Sequence, residues 1–176
     1  MRSKALLAVL LVVLFVVLLT GACKRSPNAP AKPSMGMTIA SPAFANNGEI
    51  PAKYGCSGGG EAVSPPLAIS GVPAQAKSLA LIVDDPDAPG GTFTHWLVWN
   101  IAPSTTSIAE GLPPAGASEG KNGFGKSGWG APCPPSGQHH YIFVLYALDA
   151  AQIAGADEIP KHAVAQAKLI GRYARK

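Results

Sequence analysis

The chain has 176 residues with 14 Lys and Arg, 10 Asp and Glu, and 47% hydrophobic residues, a length that suits one domain with a sizeable core. Its formal net charge of +4 includes two basic residues at the extreme N-terminus, and no basic cluster occurs within the remainder of the chain. Charge gives no argument for nucleic-acid binding, so we exclude that class.

The N-terminus has the pattern of an export signal. Two basic residues precede an uninterrupted apolar run from Ala5 to Leu19, and small residues then lead into Cys23. This run is short for a transmembrane helix but suits a signal peptide. We predict a lipoprotein signal peptide over residues 1–22, with Cys23 lipidated and the exported protein anchored to the membrane on the cell-envelope side. Thr20 stands where such lipoboxes more often have Leu, and an uncleaved N-terminal anchor is the alternative.

Residues 23–36 predict a flexible tether, because residues 24–36 contain three prolines and lack periodicity and apolar mass. The folded domain is expected over residues 37–176. Removal of residues 1–22 leaves 12 Lys and Arg against 10 Asp and Glu, a net charge of +2.

The first third of the domain is rich in turn residues. A Met, Ile and Phe pattern over residues 37–44 starts the fold, and Asn46-Asn47-Gly48 predicts a turn. Residues 54–66 are too rich in Gly and Pro for a regular element. We expect them to form a loop laid over a sheet.

Two apolar runs, Leu79–Val83 and Trp96–Ile101, predict the central strands of the domain. The loop between them carries Asp85 and Asp87, which the alternation of the pleat places on one side of the chain. His95 opens the second strand. The arrangement presents polar groups at one end of a sheet.

The stretch Cys133–Asp149 repeats this design, running from a Pro/Gly loop through two histidines into a long apolar strand. His139 and Tyr141 are two residues apart and are predicted on one face, with His140 on the other. Two strand ends that each deliver a histidine from a Pro/Gly loop predict the lip of one pocket.

The remaining segments favour an all-β domain with little helix. Residues 102–127 form a long excursion without an apolar run, and Ala151–Val164 is a helix candidate interrupted by Gly155 and Pro160. From Ala165 the near-strict alternation predicts a strand with one buried face. Several strands without βαβ spacing predict a β-sandwich.

Six motifs carry a resemblance to a known family. Taken together and in this order, they resemble the phosphatidylethanolamine-binding protein family, and in particular its bacterial Raf kinase inhibitor-like branch. The similarity covers roughly residues 38–175. The motifs are SPPL at 64–67, DPDAP at 85–89, THWLVWN at 94–100, NGFG at 122–125, CPPSGQHHYIFVLYALD at 133–149 and LIGRY at 169–173.

The resemblance implies an antiparallel β-sandwich with few short helices and a ligand pocket, without a cofactor or an enzymatic activity. Three features depart from the family pattern: Ile69 replaces a usual Trp, Trp129 replaces a usual Tyr, and the segment before His162 is short. The family positions of the pocket fall on Asp85, Asp87, Pro89, His95, Pro135, His139 and Tyr141.

These residue types suit a small anion. Imidazole N–H groups, a phenol O–H and backbone N–H groups near Gly137 could donate to a phosphate or carboxylate oxygen, and the carboxylates could orient the histidines. We therefore expect a small phosphorylated or carboxylate ligand, including a phospholipid head group. The competing classes are a protease or kinase inhibitor that acts through its surface on an unknown protein target, and a hydrolase.

Alternative roles exist for each site residue. Asp85 and Asp87 could cap their own loop, and each histidine could be structural. A metal site from these carboxylates with His95 and His139 is chemically possible but lacks tight ligand spacing. The sequence Gly116-Ala117-Ser118-Glu119-Gly120 matches the hydrolase elbow, but Gly and Pro residues stand where a strand and a helix are needed.

Cys56 and Cys133 form an even pair once Cys23 is assigned to lipid. In an oxidising compartment such a pair predicts a disulfide. Two separate buried thiols are the alternative.

Overall fold

The computed structural model describes residues 36–59 and 61–176. The predicted signal peptide, Cys23 and all of the predicted tether except Gly36 lie outside the described residues. Within the described part, no helix has the length and apolar character needed to span a membrane.

Residues 36–59 and 61–176 contain nine strands, which form two open sheets. A three-stranded sheet has the order β1-β3-β6, and a six-stranded sheet has the order β2-β9-β8-β4-β5-β7. The strands are β1 Thr38–Ala40, β2 Gly48–Glu49, β3 Leu67–Ser70, β4 Ser78–Asp85, β5 Phe93–Ile101, β6 Ser107–Ile108, β7 Ser118–Glu119, β8 Gln138–Leu148 and β9 Ala163–Ala174.

The two sheets face each other across the main core. Ile39, Leu67 and Ile108 from the small sheet join Leu81 and Phe143 from the large one in a single buried cluster. Apolar side chains at alternate positions supply each inner face, as the period of a strand requires. The predicted sandwich is confirmed, and among the named strand pairs only β2 and β9 run parallel.

The C-terminal strand has the predicted buried face. In β9, every second residue from Ala165 to Tyr173 is buried, which confirms the alternation read from the sequence. Of the interrupted helix candidate Ala151–Val164, only the 3-10 turn Ala156–Glu158 and α1 Ile159–His162 are helical. Pro160 lies in the first turn of α1. Backbone N–H groups in a first turn have no acceptor within the helix, so the lack of an N–H in proline costs no hydrogen bond there.

A second, smaller cluster lies on the outer face of the large sheet, where Ala80 and Leu148 contact Ile153 and Ile159. Asn100, which has a φ of 59°, fixes this segment: its side-chain oxygen accepts the Ile153 N–H at 2.9 Å. The segment 149–162 therefore covers one end of the outer face.

Candidate functional site

A cavity of about 170 Å³ opens where three neighbouring strands end. Asp85 ends β4, while His95 and His139 lie near the starts of the antiparallel neighbours β5 and β8. Antiparallel pairing brings the end of one strand beside the starts of its neighbours, so these side chains converge. The cavity is lined by Asp85, Ala88, Pro89, Phe93, His95, Phe124, Cys133, Pro134, Pro135, His139 and Tyr141.

A β-bulge in β5 directs the His95 side chain toward the interior. Val83 pairs with Trp96 and Asp84 pairs with Thr94, which leaves His95 as an extra residue on β5. The bulge turns both His95 and Trp96 toward the interior, where they are 3% and 1% exposed.

The tautomer of His95 follows from its hydrogen bond. Its Nδ1 lies 2.7 Å from the carbonyl oxygen of Gly130, which can only accept, so Nδ1–H donates. Its Nε2 has no hydrogen-bond partner among the described residues. Burial lowers the pKa of His95 below its ordinary value, partly offset by that carbonyl and by Asp85. The uncharged ring is therefore favoured in this cavity.

His139 and Asp85 form a buried pair. His139 Nδ1 lies 2.7 Å from Asp85 Oδ2, and the other carboxylate oxygen accepts the Asp87 N–H at 2.9 Å. Nδ1–H of His139 is thus directed to the carboxylate, as is common for histidines that must present Nε2 in one orientation.

Tyr141 contributes a donor without an acceptor. The side chain is 0% exposed, and its hydroxyl is buried without a hydrogen-bond partner in the described part of the protein. Burial is the main cause that raises the pKa of Tyr141 well above its ordinary value, and the charge of the Asp85 carboxylate and a hydrogen-bond interaction with it, outside the geometry of a formed bond, raise it further. The phenol therefore keeps its proton and can donate it in a hydrogen bond.

Six of the seven predicted pocket residues line the cavity, and Asp87 is the exception. The strand ends at Asp85, so the pleat no longer places Asp87 on the same side, which corrects the sequence expectation. Its Oδ2 instead accepts the His140 backbone N–H at 2.8 Å and pairs with the His140 ring at 2.7 Å. These bonds lower the pKa of Asp87 and hold the 85–89 turn against β8.

The phenylalanine part of the cavity wall was not predicted from the sequence, although Pro89 and Pro135 were. Phe93 and Phe124 lie on its wall beside Ala88 and Pro134. Phe124 belongs to the NGFG motif, and an aromatic residue between glycines in a loop without an apolar run was the available signal.

Other chemical interpretations of the site residues find less support in the geometry. In the described ranges no group of three or more His, Cys, Asp or Glu side chains is placed to hold a metal ion. Ser118 lies on the short edge strand β7, where its hydroxyl accepts a long 3.5 Å hydrogen bond from Asn100. The described segment after β7 does not form the helix that a hydrolase elbow needs.

A disulfide closes one side of the cavity. Cys56 and Cys133 are bonded, with their Cα atoms 5.4 Å apart. The Cys56 N–H also donates to the carbonyl oxygen of Pro132 at 3.0 Å. Because Cys133 lines the cavity, the bond ties loop 55–59 to the wall of the site.

Comparison with known proteins agrees with this architecture. The phosphatidylethanolamine-binding protein family model matches residues 40–174. A UPF0098 protein of Methanothermobacter thermautotrophicus is 45% identical over 152 residues, covering 79% of this chain and 99% of the relative. A protein of Mycobacterium tuberculosis with the lipoprotein name LppC is 44% identical over 154 residues, covering 82% of this chain and 75% of the relative.

Two solved structures share the fold. CT736 from Chlamydia trachomatis, described as a homologue of phosphatidylethanolamine-binding protein, superposes with a TM-score of 0.75 at 39% identity, covering 81% of this chain and all of that one. YbcL of Escherichia coli gives a TM-score of 0.74 at 31% identity, covering 80% and 99%. The family match covers every residue of the cavity and all strands except the first two residues of β1. The chain therefore belongs to the phosphatidylethanolamine-binding protein family.

Proposed function

We propose that this protein is an exported, lipid-anchored binding protein whose cavity holds a small anion, a phosphate or a phosphorylated head group, without turning it over. The observation that carries the proposal is the buried Tyr141 hydroxyl, which has no partner among the described residues. A buried donor left unpaired costs about 1–3 kcal/mol, and a ligand oxygen would remove that cost. Membership of the family supports the same class of ligand.

His95 sets the proton balance of binding. Its Nδ1–H is already directed to the carbonyl oxygen of Gly130. A neutral His95 ring would therefore present a lone pair at Nε2, which repels an anion unless a proton is added. Binding of a phosphate thus takes up a proton at Nε2, or uses a ligand hydroxyl that donates to it.

Replacement of Tyr141 by Phe tests the observation that carries the proposal. The ring is kept and only the donor is lost, so phosphate affinity should fall about tenfold, the effect of one hydrogen bond to a charged group. Calorimetric titration of phosphate and phosphoethanolamine would measure this. Tyr146→Phe is the matched control, since Tyr146 packs on the outer-face cluster. Equal losses in both variants, or none in either, would remove Tyr141 from the site.

The proton balance predicts a pH dependence of affinity. Because burial lowers the pKa of His95, its ring is uncharged at pH 8 before an anion binds. A proton that His95 takes up on binding then strengthens affinity by up to about tenfold per pH unit as pH falls toward 6. Sulfate, whose charge is constant in this range, separates histidine protonation from ligand protonation. An affinity for sulfate that does not change between pH 8 and 6 would contradict proton uptake by the protein.

The same samples test whether the protein hydrolyses its ligand. Released phosphate would be measured after incubation with phosphoethanolamine. We expect no release above a protein-free control, and release that disappears in His95→Ala would favour a hydrolase instead.

Lipid anchoring is supported by the sequence around Cys23 and by the lipoprotein name of the relative LppC. Cys23→Ser should move the protein out of the membrane fraction or leave it unprocessed, because lipid rather than the tether would hold it there. Fractionation and gel mobility measure both outcomes. If the variant and the wild type behave alike in both assays, Cys23 does not carry lipid.

A further inference from the structure

A second cavity, of about 250 Å³, lies beside the C-terminal end of β9. It shares no lining residue with the cavity at the ends of β4, β5 and β8. Its volume is slightly below the roughly 300–1,000 Å³ of typical ligand sites, so it suits a small molecule. Its polar groups come from Glu49, Gln138, Arg172 and Lys176, and Ile50 and Pro51 form part of its apolar wall.

Arg172 brings an unpaired positive charge to this cavity. Its Nε is buried and has no hydrogen-bond partner among the described residues. No salt bridge within residues 36–59 and 61–176 involves its guanidinium group. A buried N–H without an acceptor costs free energy, and the cost is larger in a charged group. A ligand oxygen at Nε would remove this cost.

The strands on either side of Arg172 do not supply the missing acceptor. Glu49 is its register partner on β2, but these two described residues form no salt bridge. His140 is its register partner on β8. The nearby Asp87 carboxylate already accepts the His140 backbone N–H and pairs with the His140 ring. The guanidinium is therefore available to a ligand.

Backbone hydrogen bonds hold the segments around this cavity. The Arg172 carbonyl oxygen accepts the Ile50 N–H at 2.7 Å, which fixes the exit of β2 against β9. The Ser57 N–H donates to the Tyr173 hydroxyl at 3.0 Å, and the Ser57 hydroxyl accepts the Lys176 N–H at 3.2 Å. These bonds anchor Lys176 beside the cavity, where its ammonium group adds a second positive charge.

We infer that this second cavity binds small monoanionic carboxylates with a short apolar chain, and that Arg172 holds the carboxylate through its Nε–H and a terminal N–H. The planar guanidinium group matches the two oxygens of a carboxylate, and such charged hydrogen bonds are about twice as strong as neutral ones. Glu49, on the strand beside Arg172, repels a dianion more than a monoanion. The inference goes beyond the proposed phosphate site and does not depend on it.

NMR titration of the purified full chain with butyrate, butyramide and sulfate tests this inference. Butyrate should shift the Nε–H resonance of Arg172. Butyramide, which has a similar shape without the charge, should leave that resonance unchanged, and sulfate should bind there about tenfold more weakly than butyrate.

Variants assign the binding to the guanidinium group, with affinities followed at the side-chain amide of Gln138. Arg172→Ala and Arg172→Lys should both lower butyrate affinity by about tenfold or more, because lysine keeps the charge but loses the planar pair of donors. Lys168→Ala is the matched control, since it removes a positive charge from the same face of β9 outside this cavity, and it should bind like the wild type. Glu49→Gln should tighten butyrate binding about twofold, because it removes the neighbouring negative charge.

Equal butyrate affinities in the wild type and Arg172→Ala would overturn the inference, as would butyramide or sulfate binding as tightly as butyrate. The His95→Ala variant separates the two cavities. Butyrate should shift the Arg172 resonance in this variant as it does in the wild type, and loss of the shift would place the carboxylate in the other cavity. If the wild type binds no phosphate but butyrate still shifts the Arg172 resonance, the proposed phosphate site fails and this inference stands.

Discussion

Replacement of both Cys56 and Cys133 by Ser will lower the free energy of unfolding by about 4 kcal/mol in the chain-entropy model. The bond closes a sequence separation of 77 residues, so its loss enlarges the conformational freedom of the unfolded chain. Both cysteines are exposed in the folded protein, and their replacement buries no new polar group. The effect should therefore come mainly through the unfolded state.

Urea denaturation of the purified variant against the oxidised wild type measures this change. Reduced wild type is the matched control, because it loses the bond without a change of sequence, and it should unfold near the variant. The fold should persist, because two hydrogen bonds do not depend on the sulfur atoms. The backbone N–H of residue 56 still donates to the carbonyl oxygen of Pro132, and the Trp129 ring N–H still donates to the carbonyl oxygen of Tyr54. A wild type that unfolds at the same urea concentration with and without reductant would contradict a stabilising role.

His95→Ala will weaken phosphate binding by about 3 kcal/mol, or roughly 100-fold, at the upper end for a hydrogen bond to a charged group. The variant removes the imidazole that we propose takes up a proton on binding and also widens the cavity. It leaves the Gly130 carbonyl without its donor, which should lower stability by about 1 kcal/mol. The affinity loss should be largest near pH 6, where the wild-type imidazole is most readily protonated.

His140→Ala is the matched control for this experiment. His140 is a near neighbour of the site, but its ring pairs with Asp87 on the exposed side of β8 and does not line the cavity. The His140→Ala variant keeps the backbone N–H that holds Asp87 and the 85–89 turn against β8. Calorimetry at pH 6 and pH 8 should show wild-type affinity in this variant. Similar affinities for wild type and His95→Ala at both pH values would exclude His95 from the anion site.

Local periodicity accounts for what could be predicted along single strands. The alternation from Ala165 to Tyr173 predicted the buried face of β9, and the spacing of His139 and Tyr141 predicted their shared face. Both predictions follow from the two-residue repeat of the pleat, which each short segment contains in full. Six of the predicted site residues line one cavity. The family motifs together with this repeat had indicated that they would.

Predictions across strand ends failed where the repeat stopped. Asp87 was expected beside Asp85, but β4 ends at Asp85 and the turn directs Asp87 to His140. Only residues 156–162 of the helix candidate 151–164 are helical. This segment packs on the outer face of the sheet through Ile153 and Ile159 rather than through a continuous apolar stripe of a helix.

The sequence by itself determined the class of fold, the four long strands β4, β5, β8 and β9, and the polar residues at their ends, because these depend on local spacing and composition. The tertiary structure decided the chemistry of the cavity. The bulge that turns His95 inward needs the register between β4 and β5, and the tautomers of both histidines need acceptors, Gly130 and Asp85, that are distant in the chain. Phe124 reaches the cavity only because its loop packs there, a contact between segments that no local repeat encodes.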